Sequence, residues 1–486
     1  MFASTRELGV GVAYSPALAA VLDLSEVDVL EIEPRLLWHP EGDVGAALDQ
    51  EALSRLAALP QQKIVHSSVL PVGGSLPFDA ATLALLGRSA GLLGARYLSQ
   101  HLGFDRIEID GEERFTGMLL PPRHTEAGVR RAAASLKELR NALELEVAFE
   151  TGVSYLRRAA GEMPDGEFFA RIASEADCGI LLDLHDVVTN ERNGGDRAYE
   201  VVAALPRERV WELHLAGGYA YGGFWIDAHS GTIDPYAFEL AEATVGDFPN
   251  LRAIVFEIAP GFVDNLSPEA AAEQIQLLRK LWRRRARRRA VFSVSPVLAA
   301  EAPVEVELGD WEAALGSIAL GRIPEGEFAG LAADPAAALL SDLVDGAREA
   351  TLFERLPLTM RLLSASLGAA AFRSLLFSYL RARSPEPFAA LEVGHFLTFV
   401  EREAAIVAYL DRVIALERAT LAAANGEPQE VRFDCDPTKL LAALAARKAP
   451  RAVPAGDYLV RLRGPQMEII DQSNPVNRAR PVRRSA

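Results

Sequence analysis

Only two cysteines, Cys178 and Cys435, occur among the 486 residues. Two cannot build a disulfide framework, which points to a reducing cytoplasm as the compartment. Cys178 lies in the apolar run DCGILLDL and reads as a core residue rather than a nucleophile. No uninterrupted apolar run reaches the roughly 18 residues of a membrane helix. The first residues, MFASTRELGVGVAYS, lack the basic-then-apolar layout of a secretory signal. Positive charge is also scarce: 50 Lys and Arg against 67 Asp and Glu give a formal net charge of −17. That argues against a nucleic-acid partner, because phosphate contacts need a positive field. The local exception is RRRARRR, Arg283 to Arg289. It reads as a solvated helix C-terminus, where cations suit the dipole, with a docking patch for an acidic peptide or for another domain as the alternative. Walker-type and Gly-x-Ser-x-Gly motifs are absent, so ATP hydrolysis and serine-hydrolase chemistry have no support. There is no internal repeat.

What is present is an ample apolar complement, half of the residues, on a chain long enough for two or three domains. Through the first 260 residues, short β-like runs alternate with helical patterns. The runs are LGVGVAY (8–14), VDVLEIE (27–33), KIVHSSV (63–69), RYLSQHL (96–102), LEVAFE (145–150), GILLDL (179–184), VWELHLA (210–216) and RAIVFEI (252–258). Segments such as AGVRRAAASLKELRNAL between them repeat their apolar residues at helical spacing. Strands alternating with helices predict right-handed βαβ units and a parallel sheet. Eight units in about 250 residues is the size of an α/β protein of the (β/α)8 TIM-barrel class. A doubly wound open sheet is the rival, weakened by the lack of a Gly-x-Gly-x-x-Gly turn after the first strand.

The domain expectation is a catalytic, metal-binding barrel at 1–289 and a linker at 290–310. A mainly helical domain follows at 311–472, with a small winged-helix-like end, and then a disordered tail at 473–486. The end is read from VRFDCDPTKLLAALAARKAP, a strand then a helix, and from GDYLVRLRGPQMEII, a hairpin turning at Arg-Gly-Pro.

The chemistry lies in where the ionisable residues fall. His66 is in the third strand and His101 ends the fourth; Glu150 closes the fifth, Asp183 the sixth, His214 the seventh and Glu257 the eighth. All are metal-binding types near the C-terminal ends of their strands, where barrel active sites are built. Buried and unpaired they would be costly. Asp227 and His229 follow the seventh strand in a Gly- and aromatic-rich segment, and Asp186 follows the sixth. His66, His101, Glu150, Asp183, Asp186, His214, Asp227, His229 and Glu257 exceed the four to six ligands of one ion. Two or three ions bridged by carboxylates is the economical reading. Mixed nitrogen and oxygen donors without thiolate fit iron, zinc or manganese. His185 and Glu212 share the parity of Asp183 and His214 and are candidates for orienting ligands from behind; Glu212 reads equally as an ion-pair member. His39, His124 and His395 read as non-ligands.

The segments LGVGVAYS, VLEIEPRLLW, KIVHSSVLPVGGS, SQHLGF, VAFETGVSYL, GILLDLHDVVTNERNGG, ELHLAGG, WIDAHSG and VFEI, in this order, resemble the multinuclear non-heme iron-dependent oxidative enzymes, which include the methanobactin-biosynthesis oxidase. The resemblance covers residues 1 to about 280. It implies a xylose-isomerase-like barrel with two or three irons and O2 as co-substrate. The implied reaction is modification of a ribosomally made precursor peptide at Cys, Asp or Asn in natural-product biosynthesis. His66, His101 and Glu150 match one group of family ligands, Asp183, His214 and Glu257 a central group, and Asp227 with His229 a third. Asp186 stands where the family usually has Asn, and Ser99-Gln100-His101 where it usually has Ser-Glu-His. FRSLLFSYLRARSPEPF and the segments after it look like the partner proteins that recognise the precursor's leader, which implies a catalyst fused to its peptide-recognition subunit. A generic helical dimerisation domain is the alternative. Two rival functions stay open: a zinc phosphodiesterase or sugar isomerase on the same barrel, and a leader-binding scaffold with a vestigial site.

Overall fold

The computed structural model describes residues 7–41, 45–285, 308–424, 426–472 and 480–482. The chain divides into two compact units, Met1–Ser341 and Asp342–Ala486. In the first unit, eight strands form a closed barrel. They are β1 (Gly9–Ala13), β2 (Val29–Ile32), β3 (Gln62–Ser67), β4 (Leu98–His101), β5 (Val147–Glu150), β6 (Gly179–Asp183), β7 (Val210–Leu215) and β8 (Ala253–Phe256). Every neighbouring pair is parallel, in sequential order, and β8 closes on β1. All eight apolar runs are strands, and each is followed by a helix. Most of the runs are rich in apolar residues because both faces of a parallel barrel strand are covered; β3 and β4 are the polar exceptions, QKIVHS and LSQH.

The helix Glu126–Leu143 shows how the local code works. Thr125 caps it by accepting the N–H of Gly128, and Val129, Ala132, Ala133, Leu136 and Leu139 bury one face at helical spacing. Along each strand, alternate residues point into the barrel. Val29, Ile64, Tyr97, Ala253 and Val255 form an apolar interior cluster. The next inward positions on the same strands, toward their C-terminal ends, are Glu31, His66, Ser99 and Glu257.

Three antiparallel hairpins interrupt the βα pattern: Trp38–Glu41 with Gly45–Leu48, Phe104–Ile109 with Glu112–Leu120, and Tyr219–Tyr221 with Phe224–Ile226. The last is formed by the Gly- and aromatic-rich segment before Asp227. Gly222 and Gly223 both have positive φ there, as a two-residue hairpin turn of primed type requires.

The helix Leu308–Ala319 belongs to the first unit, although the sequence assigns 311 onward to the C-terminal domain. Trp311 packs edge-on against Phe104, and Glu312 accepts the N–H and Oγ–H of Ser75 at 3.0 and 2.6 Å. Gly316 lies so close to Ile107 that a β-carbon would meet Ile107 Cδ1 at 2.4 Å. Arg283, Arg284 and Arg285 occupy the last turn of Pro268–Arg285. Residues 286–289 of that basic run and 290–307 of the expected linker lie outside the described residues, as does the expected tail except for the strand Arg480–Val482.

The second unit packs the helices Pro357–Leu367, Ala369–Ala382, Ala389–Glu403 and Leu410–Ala424 with an antiparallel sheet. Its strand order is Gln429–Cys435, Ala455–Arg463, Gln466–Asp471, Arg480–Val482, and the helix Pro437–Ala445 lies between the first two in sequence. Phe396, Tyr379, Val400, Leu416, Phe433, Leu440 and Val460 form its core. No helix among the described residues is long and apolar enough to cross a membrane.

Candidate metal centre

Strand register brings the polar ends together. His101 lies beside Glu150 across β4 and β5, and Asp183 beside His214 across β6 and β7. Glu150 presents Oε2 to His101 Nδ1 at 2.5 Å and to His66 Nε2 at 3.3 Å, while its Oε1 faces His214 Nδ1 at 3.2 Å. Glu257 divides its oxygens in the same way: Oε2 lies 3.0 Å from His214 Nδ1 and Oε1 3.0 Å from His229 Nδ1. Two carboxylates therefore each span two neighbouring groups of donors. Asp183 Oδ2 sits 4.0 Å from His214 Nδ1 and 3.9 Å from His229 Nε2.

Asp183 is fixed by the helix it starts. Its Oδ1 caps Leu184–Arg192, accepting the N–H groups of His185 and Asp186 at 2.6 and 3.1 Å, which leaves Oδ2 for the cluster. The cap also brings Asp186 within reach of His229. Asp227 follows the glycine-turned hairpin, and its N–H donates to the Tyr155 hydroxyl at 3.1 Å. His229 adopts φ +46, a left-handed conformation costly for a side-chain-bearing residue. It is held there by Ala259 N–H donating to its carbonyl and by Ser230 N–H donating to Gly217.

All nine residues expected as ligands thus converge in one region, together with both expected neighbours. His185 accepts from Trp225 Nε1–H on Nε2 at 3.3 Å, so its Nδ1–H donates to Asp227 Oδ1 at 2.7 Å. Its proton assignment makes it an orienting group for Asp227. Gly218 leaves the room it needs: a β-carbon there would meet His185 Nε2 at 2.8 Å.

Sequence reasoning missed Glu31. Its Oε2 lies 3.0 Å from His214 Nε2, closer than Glu212 Oε1 at 3.8 Å. Glu212 instead accepts the Tyr97 hydroxyl at 2.9 Å. The available signal was parity: in VLEIE, Glu31 alternates with Val29 on the inward face. Of the remaining histidines, His124 stacks on Phe168, His39 lies in the first hairpin and His395 faces Glu386 at 3.0 Å. None belongs to the converging groups. Cys178 is buried, and burial pushes its thiol up to about 12.

The electrostatics are lopsided. Seven carboxylates and five imidazoles make up the converging groups, and among the described residues no Lys or Arg pairs with any of those carboxylates. Burial pushes Asp183 up to about 6, and burial with the Glu31 charge pushes Glu212 up to about 8. Asp186 is raised by burial and by Asp183 and Asp227. Burial would depress the His66 imidazolium, but Glu150 and Glu31 outweigh it and push it up to about 10. Several buried donor atoms lack a hydrogen bond: His66 Nε2, Asp183 Oδ2, His214 Nδ1, His229 Nε2 and Glu257 Oε2. Unsatisfied nitrogens and oxygens that face one another, with excess negative charge, are what a cation site presents. The donor set fits a borderline or hard metal and holds no thiolate.

Comparison with known proteins bears on the chemistry. The family model described as "RiPP precursor modification enzyme MbnB/TglH/ChrH" matches residues 8–271, more than half of the chain. The chain belongs to this family. Relatives of this MbnB/TglH/ChrH member include several proteins named UPF0276. One from Pseudomonas aeruginosa strain UCBPP-PA14 is 31% identical over 263 residues, 53% of this chain and 88% of that protein. One from Chromobacterium violaceum is 29% identical over 255 residues, 51% and 89%. Among solved structures, endonuclease IV from Thermus thermophilus is similar at TM-score 0.36 and 17% identity, covering 56% of this chain and 97% of that one. A likeness of that size carries nothing about the reaction. The family assignment makes this a precursor-peptide-modifying type of enzyme, and its barrel carries groups that could hold metal ions.

Proposed function

We propose that the protein is an O2-dependent multinuclear iron oxidase that modifies a Cys, Asp or Asn side chain of a ribosomally made precursor peptide. The observation that carries this reading is the run of carboxylates spanning adjacent donor groups, Glu150 and Glu257, inside a barrel of this family. His66, His101 and Glu150 would hold one ion, Glu150, Asp183, His214 and Glu257 a second, and Asp183, Asp186, Asp227, His229 and Glu257 a third. Iron, when bound there, supplies the electron transfer to O2 that none of these side chains supplies alone.

The chain's own residues set access and geometry. His214 and Asp183 are fully enclosed, whereas the side chains of His101, Asp227, His229 and Glu257 keep 26, 19, 19 and 18% of their surface exposed. A peptide side chain therefore approaches past that second set. Tyr155 and His185 hold Asp227 on that open side by hydrogen bonds to its N–H and carboxylate. In the second unit, the edge strand Gln429–Cys435 pairs on one side only among the described residues. Its other side would accept the precursor's leader by strand addition.

Elemental analysis and Mössbauer spectra of the full chain, before and after air, test the reading. Two to three irons with an air-dependent spectrum are expected, and chelation should lower the stability of the first unit. Stoichiometric zinc without iron, even from iron-rich cells, would replace the oxidase with the hydrolase or isomerase alternative.

A further inference from the structure

We infer that Glu31 is the positioning residue that holds His214 with its Nδ1 lone pair toward the central donor group. This rests on the metal reading above. Glu31 is on β2 and His214 on β7, 183 positions apart in sequence, and only closure of the barrel brings them together. The contact is 3.0 Å from Oε2 to Nε2, with both residues buried. On the other edge of the ring, Nδ1 faces Glu257, Glu150 and Asp183 and makes no hydrogen bond.

A neutral imidazole carries one proton and one lone pair. With a carboxylate accepting Nε2–H, the proton stays on that side and the lone pair is presented to the donors opposite. Without it, the proton is free to settle on Nδ1, the nitrogen a cation needs. The other nearby acceptor, the unbonded Oε1 of Glu212, lies 3.8 Å away, beyond hydrogen-bond distance, and would have to move to substitute. Glu212 Oε2 already receives the Tyr97 hydroxyl. A carboxylate behind a ligating histidine also raises its basicity, and losing such a partner typically weakens metal binding about 10- to 100-fold.

The test loads the full chain with ferrous iron alone, anaerobically, in wild type, Glu31→Ala, Glu31→Gln, Glu212→Gln and His214→Ala. The readouts are iron per chain, the rate of iron loss to a chelator, Mössbauer parameters and far-UV circular dichroism. Glu31→Ala should release iron about 10- to 100-fold faster than wild type and resemble His214→Ala. Glu31→Gln, whose amide oxygen still accepts Nε2–H, should keep the wild-type iron count with an altered spectrum at one iron. Glu212→Gln should retain iron like wild type. Iron retention in Glu31→Ala equal to wild type, while His214→Ala loses iron, would overturn the inference and leave the metal reading standing. Failure of the wild type to hold iron would overturn both. If Glu31→Ala does not fold, Glu31→Gln decides, and an unchanged spectrum there is the overturning result.

Discussion

Arg348 and Glu392 form a buried ion pair in the second unit, and removing both partners should cost less than the two single losses added together. Arg348 Nε donates to Glu392 Oε1 at 2.8 Å, and its Nη1 donates to the carbonyls of Leu380 and Arg383, both at 3.0 Å. The side chains are only 6 and 4% exposed. Glu392 Oε2 accepts Glu386 N–H, and its backbone carbonyl accepts the Tyr379 hydroxyl. Arg348→Met strands a buried carboxylate, and Glu392→Met strands a buried guanidinium. Each should cost about 3–5 kcal/mol. The double variant removes both charges and leaves mainly the two carbonyls and one N–H unsatisfied, at roughly 1–3 kcal/mol apiece when fully desolvated. At the midpoints of these ranges it falls short of the summed single costs by about 2 kcal/mol. Urea melts followed by circular dichroism measure this. Tryptophan fluorescence serves as the control, because Trp38, Trp211, Trp225, Trp282 and Trp311 all lie in the first unit. Costs that add to within about 0.5 kcal/mol would refute the idea that the pair acts as a unit.

Two further perturbations separate the units. Glu417 accepts the N–H groups of Leu358 and Thr359, but burial dominates and pushes its carboxyl from 4.5 up to about 7. A raised folded-state value means stability present below pH 4.5 and lost as pH rises through about 7, on the order of 3 kcal/mol in all. Dichroism-monitored melts at pH 5 and 8 should show that loss in wild type and not in Glu417→Gln; an equal loss in both would count against it. In the first unit, Gly179 packs so tightly on Trp211 that a β-carbon would lie 2.2 Å from the indole. Gly179→Ala should cost about 1–3 kcal/mol in fluorescence-monitored melts. Wild-type stability would mean that β6 shifts without penalty.

The barrel and its ligand types were legible because both depend on short-range pattern. Each strand is a short β-like stretch of four to six residues bounded by helical or turn sequence, and a parallel barrel needs nothing more elaborate to specify its strands. His101, Glu150, Asp183 and His214 stood out because each ends such a run. The hairpins went unread although their turns are local: Asp110-Gly111 and Gly222-Gly223, all at positive φ, are dipeptides that two-residue hairpin turns favour. Leu308–Ala319 is helical by its own pattern, but which unit it joins depends on Phe104, Ile107 and Ser75, some two hundred residues earlier.

For the site, residue types and strand ends belong to the sequence, and pairings to the fold. Sequence alone determined that many imidazoles and carboxylates would crowd one rim, since period-two alternation and strand direction dictate that. Only the closed barrel decided that Glu150 and Glu257 each face two groups of donors, that His185 is occupied with Asp227, and that Glu31 rather than Glu212 stands behind His214. Those are through-space choices made at about 3 Å between strands far apart in the chain. They follow from register and barrel closure, which no local stretch of sequence encodes.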